Sequence, residues 1–567
     1  MSVSDLVRQV TLPQLMAALQ TMLQGATDGT AALPGFAFAS DPSTGVFKRT
    51  DGGIGLAVKG ASTMGVDAEG VPRLTIQPAA PGWTQAYDLA ALLGALPLTA
   101  TLLGAKGDGV TDDTAPVLSA MAQGARYVPP GIFLVTSLSV IQYMTSWYGP
   151  GSFLYNGTQF PAGDIVQDMV VNVPSVLPTI QAAVTFAESK AFRGGGGITI
   201  QIANGTYACE QISPRMADGA NRLSIVGNQA NEGVVILNFD ATNNQCGFLV
   251  NGGNGIAWLN GFTIQGVGGM VSPGVWNAQC YGGGVVARFG SLVSVGPQVR
   301  VNYFYYGVQS QYGSSVTCAS GGIVFQSGDC GYVSTAATLQ AQGCQVISGS
   351  HLAASLGSGF RAEESGYLDC DNAGASYCNV NGFIAQAGQM SAKSATANNN
   401  GGPGFFACYD GQIDCSTGTG PATNSYQNGG QGYYAFNRGF INGNSSLSTL
   451  NGLSGYQAEN LSLIDITASN SSHNKQSGYA VVGSSSLSGN APTSFENVAD
   501  GFNAGLLSTV RTANSVSNSN GGQGYFAQGN SIIDLITTYT AVNNTGGPMT
   551  PALNTTGNNG AYILQTS

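Results

Sequence analysis

The chain has 567 residues, only 8% of them charged, and its 18 basic and 29 acidic side chains leave a formal net charge of −11. That length is ample for a large core, and the absence of a basic run or patch excludes the electrostatic footprint of a nucleic-acid binder. Glycine is abundant at 83 residues, in a background rich in Ser, Asn, Thr, Ala and Val, which argues against a helical bundle or a disordered polyelectrolyte and predicts many turns between short strands.

From the N-terminus, residues 1 to 25 carry Leu6, Val10, Leu15, Leu19 and Leu23 near helical spacing, so an amphipathic helix is expected there. No basic region followed by an apolar stretch precedes it, and no window approaches the roughly 20 apolar residues of a membrane span. Neither membrane insertion nor a recognised export signal is expected. Residues 32 to 74 show short alternating runs broken by Gly and Asp, the pattern of a small β module whose Gly and Asp residues make turns. Next comes LLGAKGDGVTDDTAPVLSAMAQGARYVPPGIFLVTSL, residues 102 to 138. Thr114 is placed to cap a helix from Ala115 to Gly124 whose apolar face covers an open sheet end. Asp108, Asp112 and Asp113 lack the ligand ladder and terminal Glu of a calcium loop, so no metal is expected. A second helix is expected over residues 179 to 192, ahead of the alternating run GITIQI, and part of the chain before residue 175 reads as a separate β-helical or linker domain.

The rest of the chain is a repeat. A Gly followed by an apolar or aromatic residue recurs every 23 residues at Gly432, Gly455, Gly478, Gly501 and Gly524. Gly284, Gly307, Gly331, Gly359, Gly382 and Gly404 precede them at steps of 22 to 28. A fixed period of this size marks a solenoid whose coils cannot bury their faces alone. One and three places after the Gly stand pairs such as Tyr456 and Ala458, and nine and eleven places after it pairs such as Leu368 and Cys370 or Ile464 and Ile466. Period-two alternation on both sides of a turn predicts two strands per coil and an all-β fold, a right-handed parallel β-helix. A leucine-rich repeat would need a Leu framework that these positions lack. Four places before the Gly, Asn400, Asn428, Asn451, Asn474, Asn497 and Asn520 predict an Asn ladder at a turn that tolerates the left-handed conformation. Eleven coils at a strand spacing of ~4.8 Å would stack to roughly 50 Å.

Ten cysteines lie between Cys209 and Cys415 without a CxxC pair, which favours buried free thiols made in a reducing cytoplasm. His351 and His473 are the only histidines, and no serine-triad or zinc-hydrolase motif frames them. Ten places after the coil Gly, at an outward parity, Asp369, Asp414, Asp465 and Asp534 form a column, with Glu363, Glu364 and Asp371 near Asp369. Such acids keep a low-charge solenoid soluble and discourage sideways pairing. Arg361 beside the two Glu residues reads as a surface pair. In NYFYYG, residues 302 to 307, alternate rings are expected inward, leaving others, with Trp276, to stack on sugars.

GDGVTDDT followed by a helix and PPG, together with DPSTGVFK and the β-helix pattern, resembles the pectate-lyase-like superfamily of phage tailspikes and tail fibres. The resemblance covers most of the chain and implies three parts: residues 1–100 for attachment to the particle, 101–175 as an entry and capping segment, and 176–567 as the β-helix. It implies a homotrimer in the virion, made in the bacterial host cytoplasm, held by a tail or baseplate protein and meeting bacterial surface polysaccharide, without a cofactor. It leaves open whether the glycan is cleaved, by hydrolysis or elimination, or only bound; a structural fibre carrying another receptor-binding protein is the alternative. If hydrolysis occurs, Asp369, Asp414, Glu363, Glu364 and Asp371 are the candidate catalytic carboxylates. Tyr303, Tyr305, Trp276 and Arg361 are the candidate substrate contacts. One departure is that the repeats run almost to Ser567, leaving little room for a large C-terminal trimerisation domain.

Overall fold

The computed structural model describes residues 29–30, 32–48, 54–59, 61–66, 72–74, 104–125, 127–142, 147–192, 195–272, 275–277, 280–347, 357–417, 420–555 and 557–566. The helix expected over residues 1 to 25 lies outside them. The chain divides into two units, residues 1–98 and 99–567.

The first unit holds a five-stranded antiparallel meander of Phe36–Phe38, Asp41–Lys48, Ile54–Val58, Ala61–Val66 and Pro72–Leu74. Its Gly and Asp residues divide between two roles. Asp41 makes a turn, its carboxylate accepting from the Ser43 N–H at 3.1 Å and the Thr44 hydroxyl at 2.6 Å. Gly45 and Gly55 instead lie within strands, because a Cβ there would overlap the Phe36 carbonyl or the Phe47 ring.

In the second unit, the parallel strands Asp108–Asp112, Ile132–Leu134 and Ser152–Tyr155, with antiparallel Thr158–Pro161, make a four-stranded entry sheet. The helix Thr114–Ala122 buries Val117 and Ala120. Thr114 is its first residue rather than its cap: the Thr114 hydroxyl bonds the Asp112 carboxylate and accepts from the Thr136 N–H at 2.8 Å. The second helix, Ile180–Glu188, does start on a side-chain cap, Thr179, whose hydroxyl accepts from the Ala182 N–H at 3.1 Å.

The right-handed parallel β-helix follows. Its 28-stranded sheet begins at Met169–Val173, seven residues before the boundary expected at 176, and ends at Tyr562–Thr566. A 13-stranded sheet runs from Phe248–Asn251 to Met549–Thr550. Each regular coil therefore has three strands, not two, as in Tyr456–Glu459, Leu463–Asp465 and Asn470–Ser472. The missed strand is polar. It buries a serine such as Ser471, whose hydroxyl donates to the Gly478 carbonyl at 2.9 Å and so satisfies itself inside the core.

Strand parity places the other inward positions as expected: Leu368, Cys370, Ile413, Ile464 and Ile466 are buried. The residue after each Gly adds a continuous stack of rings, Tyr332, Phe360, Phe383, Phe405, Tyr433, Tyr456, Tyr479, Phe502 and Tyr525, with neighbouring centroids 4.7–5.1 Å apart. That spacing is the strand spacing itself, so one ring per coil meets its neighbour in parallel. Tyrosine fits this core because its hydroxyl donates to a backbone carbonyl, as Tyr433 does to Thr423 at 2.9 Å and Tyr456 to Ser446 at 2.9 Å.

The Asn ladder forms, and its geometry differs from the expectation in one respect. The left-handed residue is the one before each Asn, such as Leu450 at φ 59°, His473 at 55° and Glu496 at 50°. The Asn itself is buried and bridges coils. The Asn474 amide donates to the Asn497 Oδ1 at 2.9 Å, to the Ser471 hydroxyl at 3.0 Å and to the Ser448 carbonyl at 3.2 Å.

Candidate functional site

Outward positions of the long sheet carry the acidic column. In register, Asp369, Ser391, Asp414, Asn442 and Asp465 lie side by side on successive strands. Each Asp ends its strand and turns its carboxylate onto the bend that follows. Asp414 accepts from the Ser416 N–H at 3.0 Å and Asp465 from the Thr467 N–H at 2.9 Å, the pattern of an Asx-turn. Asp414 also meets the Lys393 Nζ at 3.2 Å and the Asn442 amide at 2.9 Å. Asp369 accepts from the Gln342 amide at 2.7 Å, and Asp371 from the Ser391 hydroxyl at 2.7 Å and the Lys393 N–H at 2.8 Å. These contacts give each carboxylate a structural partner on its own or a neighbouring coil.

Glu363 and Glu364 do not join them. Glu364 is an exposed corner residue at φ 50°. Glu363 ends the strand Ser358–Glu363 of the 13-stranded sheet, in register with Thr335 at the end of Cys330–Thr335, with Tyr306–Gln311 and Gly283–Arg288 the next strands along. There it accepts from the Thr335 hydroxyl at 2.8 Å and approaches the Arg361 Nη1 at 3.8 Å.

Arg361 is the centre of the densest chemistry on that face. Its guanidinium forms a two-pronged pair with Asp329, at 2.8 and 2.7 Å. The side chains are only 18% and 23% exposed, so this is a partly desolvated ion pair rather than the surface pair read from sequence. Asp329 enters from the turn before its strand, anchored by its N–H donating to the Tyr305 carbonyl at 2.8 Å. Around the pair stand three rings in edge-to-face contact: Tyr281 and Tyr305 with centroids 5.1 Å apart, and Tyr305 and Tyr306 at 4.8 Å. Burial and the Asp329 charge push the Tyr305 and Tyr306 hydroxyls above their ordinary range. Both therefore stay protonated and remain donors.

The run 302–307 does not alternate. Strand Val299–Asn302 ends before it and Tyr306–Gln311 starts at its far side, so residues 303–305 turn and Phe304 alone of the four rings is fully buried. Tyr303 stands edge-on to Phe325, with centroids 6.1 Å apart. Trp276 ends the short strand Val275–Trp276, and its side chain lies outside the described ones, as does His351. His473 sits in a turn and pairs with Glu496 at 2.7 Å. Asp329 leaves no signal in the local sequence because it pairs with a residue 32 positions away, across one of the two 28-residue steps of the repeat.

The entry loop turns its carboxylates onto its own backbone. Asp108 accepts from the N–H groups of Thr111 and Val110, which lower its carboxyl to about 2. Asp113 is buried and accepts from the Lys106 and Gly107 N–H groups at 2.7 and 2.9 Å. Among the described residues, no three His, Cys, Asp or Glu side chains converge as metal ligands. Two cavities among the described residues lie away from the Arg361 cluster: one of about 550 Å³ beside Thr179 and Tyr207 has Glu210 in its lining, and one of about 400 Å³ lies beside Asn172 and Asn228.

Fold and site together define a class: a long parallel β-helix with a polar and aromatic cluster on its outer face. No family model matches the chain, and no curated protein matches it. Among solved structures, it is similar to the A-module of the mannuronan C-5 epimerase AlgE4 of Azotobacter vinelandii, at 14% identity and a TM-score of 0.26 over 83% of this chain and 100% of that one. It is similar to the periplasmic alginate epimerase AlgG at 8% identity and a TM-score of 0.32, over 72% and 86% of the two chains. A thermostable GH87 α-1,3-glucanase from Streptomyces thermodiastaticus matches at 12% identity and a TM-score of 0.25, over 88% and 70%.

Proposed function

We propose that this chain is a subunit of a phage tailspike or tail fibre that binds bacterial surface polysaccharide on the outer face of its β-helix. The observation that carries this reading is the Arg361 cluster: a partly buried ion pair ringed by Tyr281, Tyr305 and Tyr306 on a rigid sheet. Rings offer faces to the apolar side of a sugar, while protonated tyrosine hydroxyls and an oriented guanidinium offer donors to its oxygens. Binding is better supported than hydrolysis. A hydrolase needs two carboxyls facing the scissile bond, whereas Asp329 and Glu363 both face the same guanidinium and Asp414 and Asp465 bond the bends that follow them.

Attachment would use the first unit, whose meander exposes Phe36, Phe38 and Val58 around an apolar groove of about 330 Å³. Exposed apolar surface of this kind suits a protein partner in the particle. Assembly as a homotrimer and manufacture in a bacterial host belong to the same proposal. The test is incubation with purified surface polysaccharides, following bound mass, chain size and reducing ends. Binding without shortening is expected, and Tyr305→Ala and Arg361→Ala should each weaken it about tenfold or more. Shortened chains would make the protein a depolymerase. Binding untouched by both substitutions would move the site elsewhere, and no binding would favour a structural fibre.

A further inference from the structure

The Arg361 cluster holds one cation and two carboxylates. The guanidinium is taken up by Asp329, whose two oxygens it meets at 2.8 and 2.7 Å, and Glu363 stands beside that pair. Little nearby offsets the excess. From Tyr303 to Phe360 the sequence has one Asp, Asp329, and no Glu, Lys or Arg. Arg288 reaches Glu363 in register only through Gln311 and Thr335, three strands or roughly 14 Å along the sheet, beyond the Debye length of about 8 Å. Glu364, next in sequence, is exposed and adds to the negative charge. The Tyr305 and Tyr306 hydroxyls, held above their ordinary range by burial and by Asp329, stay neutral and leave the balance unchanged.

The two carboxylates differ in what they can still accept. Both Asp329 oxygens are bound by the guanidinium. In Glu363, Oε1 accepts from the Thr335 hydroxyl at 2.8 Å, while Oε2 lies 3.8 Å from the Arg361 Nη1, outside hydrogen-bond range. Thr335 and Arg361 thus fix the carboxylate and leave Oε2 open to solvent, on a side chain 26% exposed. The aromatic group of the cluster stands beside this charge, with Tyr281 56% exposed. An oriented carboxylate oxygen, excess negative charge and tyrosine rings, whose faces attract cations, are all complementary to a positive group.

We infer that the Arg361 cluster selects a sugar unit bearing a free amine. The ammonium group donates to the Glu363 Oε2 with the tyrosine rings beside it, and Arg361, already taken up by Asp329, offers no free cation to a sugar carboxylate. The inference rests on the glycan-binding reading of this cluster and narrows it to amino-sugar polymers.

The probes are oligomers of glucosamine, the same oligomers N-acetylated, and galacturonate oligomers of equal length, titrated calorimetrically against the full chain. The titrations are run at about pH 6, where amine and carboxyl groups are both charged, and in about 0.15 M salt, which screens long-range attraction to the net charge. The glucosamine oligomer should bind most tightly, and N-acetylation should weaken it about tenfold or more. Glu363→Gln retains an acceptor for the Thr335 hydroxyl and should bring the two affinities together. Glu496→Gln, which removes the same charge from an exposed pair in a later coil, should preserve the difference. Equal affinity for the N-acetylated form, tighter binding of galacturonate, or a preference that survives Glu363→Gln or falls equally with Glu496→Gln overturns the inference. Binding of the N-acetylated or acidic oligomers alone overturns it while sparing the glycan reading. Binding of none of the three also overturns it, and the glycan reading falls with it only where the surface polysaccharides fail to bind as well.

Discussion

The repeating glycine has a steric reason at the scale of one atom. A Cβ on Gly455 would overlap the Ser471 hydroxyl, press the Gly478 carbonyl at 2.7 Å and crowd the Asn474 amide at 2.9 Å. Gly432, Gly478 and Gly501 face Ser448, Ser494 and Ser517 in the same way. The glycine is thus set by the polar third strand, which comes too close for any side chain. Gly455→Ala should cost about 1–3 kcal/mol by overpacking, measured by urea denaturation. Combined with Ser471→Gly, the loss should fall short of the sum of the two single losses, because one collision is removed. Strict additivity would show that Ser471 is not what the glycine avoids. The glycine, its period and the inward apolar positions were legible because they obey strand parity. Asp329 was not, since pairing across coils leaves no mark on local sequence.

At the scale of an element, the Asn ladder is the feature that most directly ties one coil to the next. The Asn474 Oδ1 accepts both the Asn451 N–H and the Asn451 amide, each at 3.0 Å, in a site closed to solvent. Asn474→Ala would leave those two donors of Asn451 unsatisfied, along with the Ser448 carbonyl. The expected loss is about 3 kcal/mol. Asn474→Asp should be worse at neutral pH than in acid, since a buried carboxylate cannot donate to the Ser448 carbonyl or the Asn497 Oδ1. Urea midpoints at two pH values test both; a loss under about 0.5 kcal/mol, the level of an ordinary surface change, would reduce the ladder to decoration. The ladder's position was readable from the sequence. The third strand was not, because Asn-Ser-Ser carries no hydrophobic alternation and reads as a turn until its serines are seen to bond inward.

Over the whole solenoid, continuity decides how the molecule should come apart. The long sheet pairs without a break from Met169–Val173 to Tyr562–Thr566, and the ring stack spans Tyr332 to Tyr525. A stacked array is stabilised by nearest-neighbour interfaces, so it unfolds as one body where those interfaces are strong relative to the coils themselves. Two sets of residues report on different stretches. The ten free thiols lie between Cys209 and Cys415, all buried except the half-buried Cys209, which burial pushes up to about 11. Tyr433, Tyr456, Tyr479 and Tyr525 report on the later coils. In the native protein the thiols should resist a disulfide reagent, since burial closes the sulfurs to it. In urea, thiol reactivity and the near-ultraviolet tyrosine signal should change together, which is the criterion for a single cooperative transition. Thiols that open at lower urea than the tyrosine signal would place a weak interface between the early and late coils. The insertion between Gly331 and Gly359 is where it would be sought, because the Arg361–Asp329 pair spans it and joins those coils from outside.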